Sequence, residues 1–131
     1  MEVKMKRFLV LIACLAALPA LAQSSHKVVT LKQAYEDAPL MLWQPVTVRN
    51  VQISNFTSSG FADVSDGTFS TRIEVNSAFF PDRGKTQAFC GGIVRSARKE
   101  CRGVLEFNVP PQRGDELGRH VITGARFEPE G

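Results

Sequence analysis

From Pro45 onward, apolar residues recur at every second position, and this period constrains the fold more than any other feature of the 131-residue chain. Val46 and Val48 share one face, then Val51 and Ile53 share the other. A change of phase inside one run is the mark of a β-bulge in a long, coiling strand. Ser58-Ser59-Gly60 turns the chain, Phe61 to Val64 returns, and Ser65-Asp66-Gly67 turns it again. Phe69, Thr71, Ile73 and Val75 then alternate with Ser70, Arg72, Glu74 and Asn76, as a half-buried third strand requires. Residues 77–89 read as an irregular or helical crossing. Gly91-Gly92 and the charged turn Arg95-Ser96-Ala97-Arg98-Lys99 interrupt or cap a short hairpin. Val104 to Val109 form a fourth strand with Leu105, Phe107 and Val109 inward, ended by Pro110-Pro111-Gln112-Arg113-Gly114. Val121, Thr123, Ala125 and Phe127 line a fifth, which Pro129 stops.

Before this strand region, residues 23–29 form an N-terminal arm. Thr30 to Ala38 read as a short helix capped by Thr30, with Leu31, Ala34 and Tyr35 on one side and Pro39 close to its end. Two turns do not stand alone in water, so Leu31 and Tyr35 are expected to cover one end of a core. Leu40-Met41-Leu42-Trp43 is a small apolar patch leading into Pro45. The expected class is therefore all-β with a short N-terminal helix, and three strands, a connection and two more strands describe a five-stranded OB-type barrel. Closure would protect the edges that a small open sheet exposes.

Three segments carry a resemblance. Val46-Thr47-Val48-Arg49-Asn50-Val51, Phe61-Ala62-Asp63-Val64-Ser65-Asp66-Gly67 and Val121-Ile122-Thr123-Gly124-Ala125-Arg126-Phe127 resemble small exported bacterial OB domains and the anticodon-binding-like group of OB barrels. The likeness spans residues 45–128 and rests on pattern and turn positions, so it implies a fold and no particular activity. The Cys90–Cys101 segment is not part of that pattern.

The first 22 residues have the form of a secretory signal peptide. Lys4, Lys6 and Arg7 precede the apolar run Phe8 to Leu18, and Ala20-Leu21-Ala22 fits signal peptidase, with cleavage expected before Gln23. The apolar run falls short of the roughly 20 residues that span a bilayer. The expected domains are a signal at 1–22, an arm and helix at 23–44 and an OB-type barrel at 45–131. The mature protein is expected to be periplasmic or secreted, with no transmembrane segment after cleavage.

Export alters the charge argument. The whole chain carries 16 Lys+Arg and 13 Asp+Glu, a net charge of +3, and losing Lys4, Lys6, Arg7 and Glu2 lowers it to +1. The distribution says more than the sum. Arg83, Lys85, Arg95, Arg98, Lys99 and Arg102 meet only Glu100 within residues 83–102, whereas the flanking segments are each acidic overall. Cys14 leaves with the signal, so Cys90 and Cys101 meet an oxidising compartment as a pair and are expected to form a disulfide. Closing so short a loop stabilises by about 2–3 kcal/mol and ties the basic stretch down. The spacing does not suit a CxxC redox motif, and His26 and His120 add too little for a structural zinc site.

The residues offer little catalytic chemistry. The chain has no glycine-rich nucleotide loop, zinc-protease helix or nucleophile elbow. Asp63, Asp66 and Glu74 with Arg72 nearby could hold a divalent cation and a phosphate. The simpler account makes Asp66-Gly67 a hairpin turn and places Arg72 and Glu74 on a solvent face. A non-enzymatic role with no cofactor and no metal follows. The favoured expectation is an exported module that binds a protein or other anionic ligand of the cell envelope. Arg95, Arg98, Lys99 and Arg102 would form the contact surface, held by Cys90–Cys101, with Arg49 and Arg72 behind them. The alternative is a single-stranded nucleic-acid-binding domain, which needs exposed aromatic rings beside the basic groove; Phe56, Phe61, Phe79 and Phe80 are the candidates. A self-associating or structural role would instead draw on an uncovered patch at Leu40 to Trp43.

Overall fold

A computed structural model describes residues 26–57, 60–112 and 121–130. The expected signal peptide and its cleavage site, Cys14, Ser58-Ser59 of the expected first turn, Arg113-Gly114 and His120 lie outside these residues. The elements run β1 (Lys27–Val28), α1 (Leu31–Glu36), α2 (Ala38–Met41), β2 (Pro45–Ser54), β3 (Phe61–Ser65), β4 (Ser70–Glu74), α3 (Arg83–Cys90), a 3-10 turn (Lys99–Cys101), β5 (Arg102–Asn108), β6 (Val121–Ile122) and β7 (Arg126–Pro129).

The expected five-stranded OB-type barrel is not what the chain forms. Its strands make one seven-stranded sheet of order β6-β4-β3-β2-β5-β7, with β1 beside β2, and this sheet is open rather than closed. Among the described residues three α-helices accompany it, so the class is mixed α/β and not all-β with one short helix. The expected fifth strand departs most from its sequence reading. Thr123-Gly124-Ala125 breaks it: Gly124 has φ +65° and donates its N–H to Ser77 Oγ at 2.9 Å. On one side of this break β6 pairs in parallel with β4, and on the other β7 pairs antiparallel with β5. The break also shifts the phase. Ile122, Ala125 and Phe127 are buried, whereas Thr123 is exposed.

The remaining strands follow their alternation. β2 is the longest, and its phase change is a bulge between Val48 and Val51, with Asn50 at φ +56°. The bulge turns Arg49 and Asn50 outward while Val46, Val48, Val51 and Ile53 all stay buried. Bent in this way, β2 is bonded to β1, β3 and β5 at different points along its length. Leu105, Phe107 and Val109 enter the same core, joined by Phe56, Phe80 and Phe127. Phe80 meets Phe56 edge-on at 4.8 Å and Phe127 at 6.2 Å. Phe56 and Phe80, offered by the sequence as exposed rings, are therefore interior.

The expected helix at Thr30 to Ala38 is two helices. Thr30 and Gln33 form a reciprocal capping box on α1. Asp37 closes α1, and α2 follows at once with Pro39 in its first turn, where a missing N–H is tolerated. Proline here begins a helix instead of ending one. The crossing at 77–89 contains α3, capped by Asp82, whose Oδ1 accepts the Lys85 N–H at 3.1 Å.

Gly103 sets the closeness of β5 and β7. A Cβ placed there would lie 1.9 Å from the Glu128 carbonyl oxygen, an atom of the neighbouring backbone that cannot swing aside. Gly103→Ala is expected to push β7 off β5 and cost about 3 kcal/mol, read as a lower midpoint in urea unfolding. An unchanged midpoint would show that the two strands are not held this closely.

Candidate functional site

Strand register divides the sheet into two faces. Ile53, Val64 and Thr71 are cross-strand neighbours on the core side. The adjacent register positions are polar, with Ser70 exposed and Gln52 and Asp63 half-buried, while Ser54 and Ser65 are buried and the Ser65 hydroxyl accepts the Gly67 N–H at 3.1 Å. Ser70 pairs with Ser65, Ser65 with Gln52, and Gln52 with Arg102. Arg102 then reaches Glu130, Nη2 to Oε2, at 3.2 Å. One unbroken polar row thus crosses β4, β3, β2 and β5. A second row places Ser54 beside Asp63 and Asp63 beside Arg72.

Two depressions lie along these rows and share Ser65. One, of about 350 Å³, is bounded by Asn50, Gln52, Ser65, Asp66, Gly67, Arg102 and Glu130. The other, of about 340 Å³, is bounded by Ser54, Asp63, Ser65, Ser70, Arg72, Ile93 and Arg95. The wall of the second comes from the tied loop. Cys90 and Cys101 are disulfide-bonded with their Cα atoms 5.5 Å apart, as the sequence led one to expect. Both cysteines are buried. The Cys90 carbonyl accepts from Phe56 N–H at 3.0 Å and the Gly92 carbonyl from Asn55 N–H at 2.6 Å, so the loop is fastened to the end of β2. From there Arg95 Nη2 donates to Ser70 Oγ at 3.2 Å. Ile93 and Val94 stand at the tip, each 84% exposed.

The six arginine and lysine candidates occupy different places. Arg95 and Arg72 line one depression, and Arg102 lines the adjoining one. Arg98 is turned elsewhere: its guanidinium lies 3.7 Å from the Phe89 ring centroid and its Nε is 3.5 Å from Glu100 Oε2. Lys99 is exposed on the 3-10 turn and borders neither depression. Arg49 projects from the bulge toward a separate shallow hollow with His26, Thr47 and Glu106. Arg83, part of the same basic run, is structural, donating to the Val75 and Ala78 carbonyls, both at 2.8 Å.

The charges of the face are partly matched. Arg72 Nε lies 3.9 Å from Asp63 Oδ1, and its guanidinium sits 5.6 Å from the Phe61 ring centroid. Arg102 is paired with Glu130, while its buried Nε has no hydrogen-bond partner among the described residues. Arg95 enters no ion pair among the described residues. The serines and Gln52 between these cations are the site residues that sequence reading passed over. Their signal was the polar half of the alternation that located the core.

Asp63, Asp66 and Glu74 do not converge. Asp63 faces Arg72 across the ladder and Glu74 faces Phe61. Asp66 turns back on the backbone, accepting from Thr68 and Phe69 N–H, both at 3.0 Å, and from Leu31 N–H at 3.1 Å. The last of these bonds fastens the start of α1 to the β3–β4 hairpin, and the Tyr35–Phe69 ring contact at 5.3 Å lies beside it. Among the described residues no three His, Cys, Asp or Glu side chains are placed to hold a metal ion.

No family model, curated protein or solved structure matches the chain, so the reading of this face rests on its own chemistry.

Asp66 also supplies a pH test. Partial burial raises its pKa, but the Phe69, Thr68 and Leu31 amides outweigh that and leave it below its ordinary 3.8. A pKa lower in the folded state means stability that is present above the unfolded value and lost as pH falls through the folded one. Asp66→Asn is expected to cost about 1–2 kcal/mol at pH 7, with the gap to wild type closing as pH falls below about 4. A gap that stays constant from pH 7 to pH 2.5 in denaturant titrations would remove the carboxylate from this role.

Proposed function

We propose that the mature protein is an exported, non-enzymatic binding module that takes an anionic ligand of the cell envelope on the outer face of its sheet. The reading is carried by Arg95, a cation in the wall of a depression, hydrogen-bonded to a serine and in no ion pair among the described residues. A guanidinium offers several N–H donors in one plane, and a single hydroxyl acceptor leaves capacity for a carboxylate or phosphate. Arg72 lines the same depression with its charge turned toward Asp63, which limits the site to a few negative charges. The disulfide supports the reading by holding the loop in one place before a ligand arrives, which lowers the ordering cost of binding.

Nucleic-acid binding receives less support from the same geometry. Stacking needs open aromatic faces. Phe61 and Phe79 are exposed as the sequence reading allowed, but Arg72 and Arg126 lie over their rings, as Arg98 does over Phe89. The patch at Leu40, Leu42 and Trp43 is exposed and stays apart from the two depressions, so it adds nothing to an anion site.

Titration of ¹⁵N-labelled, oxidised mature protein with sodium acetate and sodium sulfate at constant ionic strength tests this. The expected outcome is saturable shifts concentrated at Ser70, Arg72 and Arg95, abolished in Arg95→Gln. Shifts scattered over the basic surface, or centred on Lys27 and Lys32, would overturn the proposal.

A further inference from the structure

The two depressions share Ser65 and are joined by the Ser70–Ser65–Gln52–Arg102 row, which has a guanidinium at each end. Arg95 is bonded to Ser70 at one end, and Arg102 belongs to the row itself at the other. Ser70 and Arg102 are separated by three strand spacings, about 14 Å. Between them Gln52 offers a carboxamide, which both donates and accepts hydrogen bonds, while Ser65 is buried with its hydroxyl accepting the Gly67 N–H. Asp63 and Glu130 lie along the edges of the same surface.

This composition discriminates among anions. A dense polyanion would bring a negative charge against Asp63 or Glu130 for each one it placed on an arginine, and close like charges repel. An apolar peptide would desolvate Gln52, Asp63 and Arg72 beneath it, at a cost for each group. A polyhydroxylated chain with widely spaced acidic groups meets the first penalty only beside Glu130, where Arg102 is already paired, and avoids the second. Its hydroxyls can donate to Asp63 and Glu130 and exchange hydrogen bonds with Ser70 and Gln52, while its acidic groups reach guanidinium N–H groups of Arg95 and Arg102.

We infer that the outer face binds an acidic oligosaccharide laid across the strands, with acidic groups seated on Arg95 and Arg102. This rests on the anionic-ligand reading above and adds the ligand's chemical class, its direction across the sheet and the participation of the second depression. Glu130 then has a role in the site. It holds Arg102 in the row through the 3.2 Å ion pair, and it presents a carboxylate to sugar hydroxyls.

The test is fluorescence anisotropy of oxidised mature protein with three labelled probes: a hyaluronate octasaccharide, neutral chitohexaose and hexaglutamate. The expected order is saturable binding of the uronate chain, at least tenfold weaker binding of the neutral one, and no preference for hexaglutamate. Arg95→Gln and Gln52→Ala are each expected to weaken the uronate complex, Arg95→Gln by about tenfold or more. Lys32→Gln, on the exposed side of α1, is expected to leave it unchanged. Gln52→Ala keeps every charge, so its loss of affinity separates hydrogen bonding along the row from simple attraction. Tighter binding of hexaglutamate, equal binding of chitohexaose, an unaffected Gln52→Ala or no saturable glycan binding would each overturn the inference. The acetate and sulfate titration stands apart from these outcomes: anion shifts at Arg95 without glycan binding would remove the oligosaccharide and leave the anion site.

Discussion

The Cys90–Cys101 bond joins the end of α3 to the 3-10 turn before β5, and so decides where the charged loop between them can go. The bond is buried, and the Cys90 and Gly92 carbonyls take their hydrogen bonds from Phe56 and Asn55 at the end of β2. The loop is therefore tied at both ends to elements that are themselves part of the sheet. β2 can accept that attachment because its bulge turns the strand, so that β5 pairs along both stretches while β1 takes the first and β3 the second. Arg95 reaches Ser70 from this fixed base. Without the tie, the loop would pay conformational entropy each time it placed a cation over the outer face.

Charge on that face is arranged by pairing more than by quantity. The basic run between Arg83 and Arg102 looks uniform in sequence, yet its members do different things. Arg83 binds two carbonyls, Arg98 lies over Phe89 beside Glu100, and Arg102 pairs with Glu130. Exposed pairs of this kind contribute little to stability, but they fix where guanidinium groups point. What remains is a polar surface with sparse, separated cations, well suited to hydrogen bonding and poorly suited to a densely charged chain.

Much of the inner face was legible in the sequence. Alternation located Val46, Val48, Leu105, Phe107 and Ile73 in the core, the phase change located the bulge, and two cysteines in a chain expected to be exported located the disulfide. That the sheet stays open, against the expected closure into a barrel, was not legible. A strand is recognised by its period, but pairing partners depend on where the backbone breaks, and Gly124 divides the last apolar run between two neighbours. The helices were obscured for local reasons. Pro39 reads as a stop until Asp37 is seen to end one helix and begin another, and α3 carries few apolar residues to mark its period. The site was half legible. Arg72, Arg95 and Arg102 were singled out by charge, as were Arg49, Arg98 and Lys99, which the fold sends elsewhere. Ser65, Ser70 and Gln52 become site residues only through register, because nothing in a serine's immediate sequence reveals which residue lies across from it.

The central claim is that the disulfide holds the loop against the outer face while the sheet beneath stands on its own. Amide hydrogen exchange of the oxidised and reduced mature protein, compared residue by residue, tests it most directly. The account predicts that reduction releases the Asn55 and Phe56 amides, which are bonded to the loop, while the amides of the β2–β5 ladder from Val46 to Leu105 keep their protection. Loss of protection throughout the ladder would make the bond a condition of folding itself. Unchanged exchange at Asn55 and Phe56 would show that the loop keeps its place without the bond. Either result would contradict the claim.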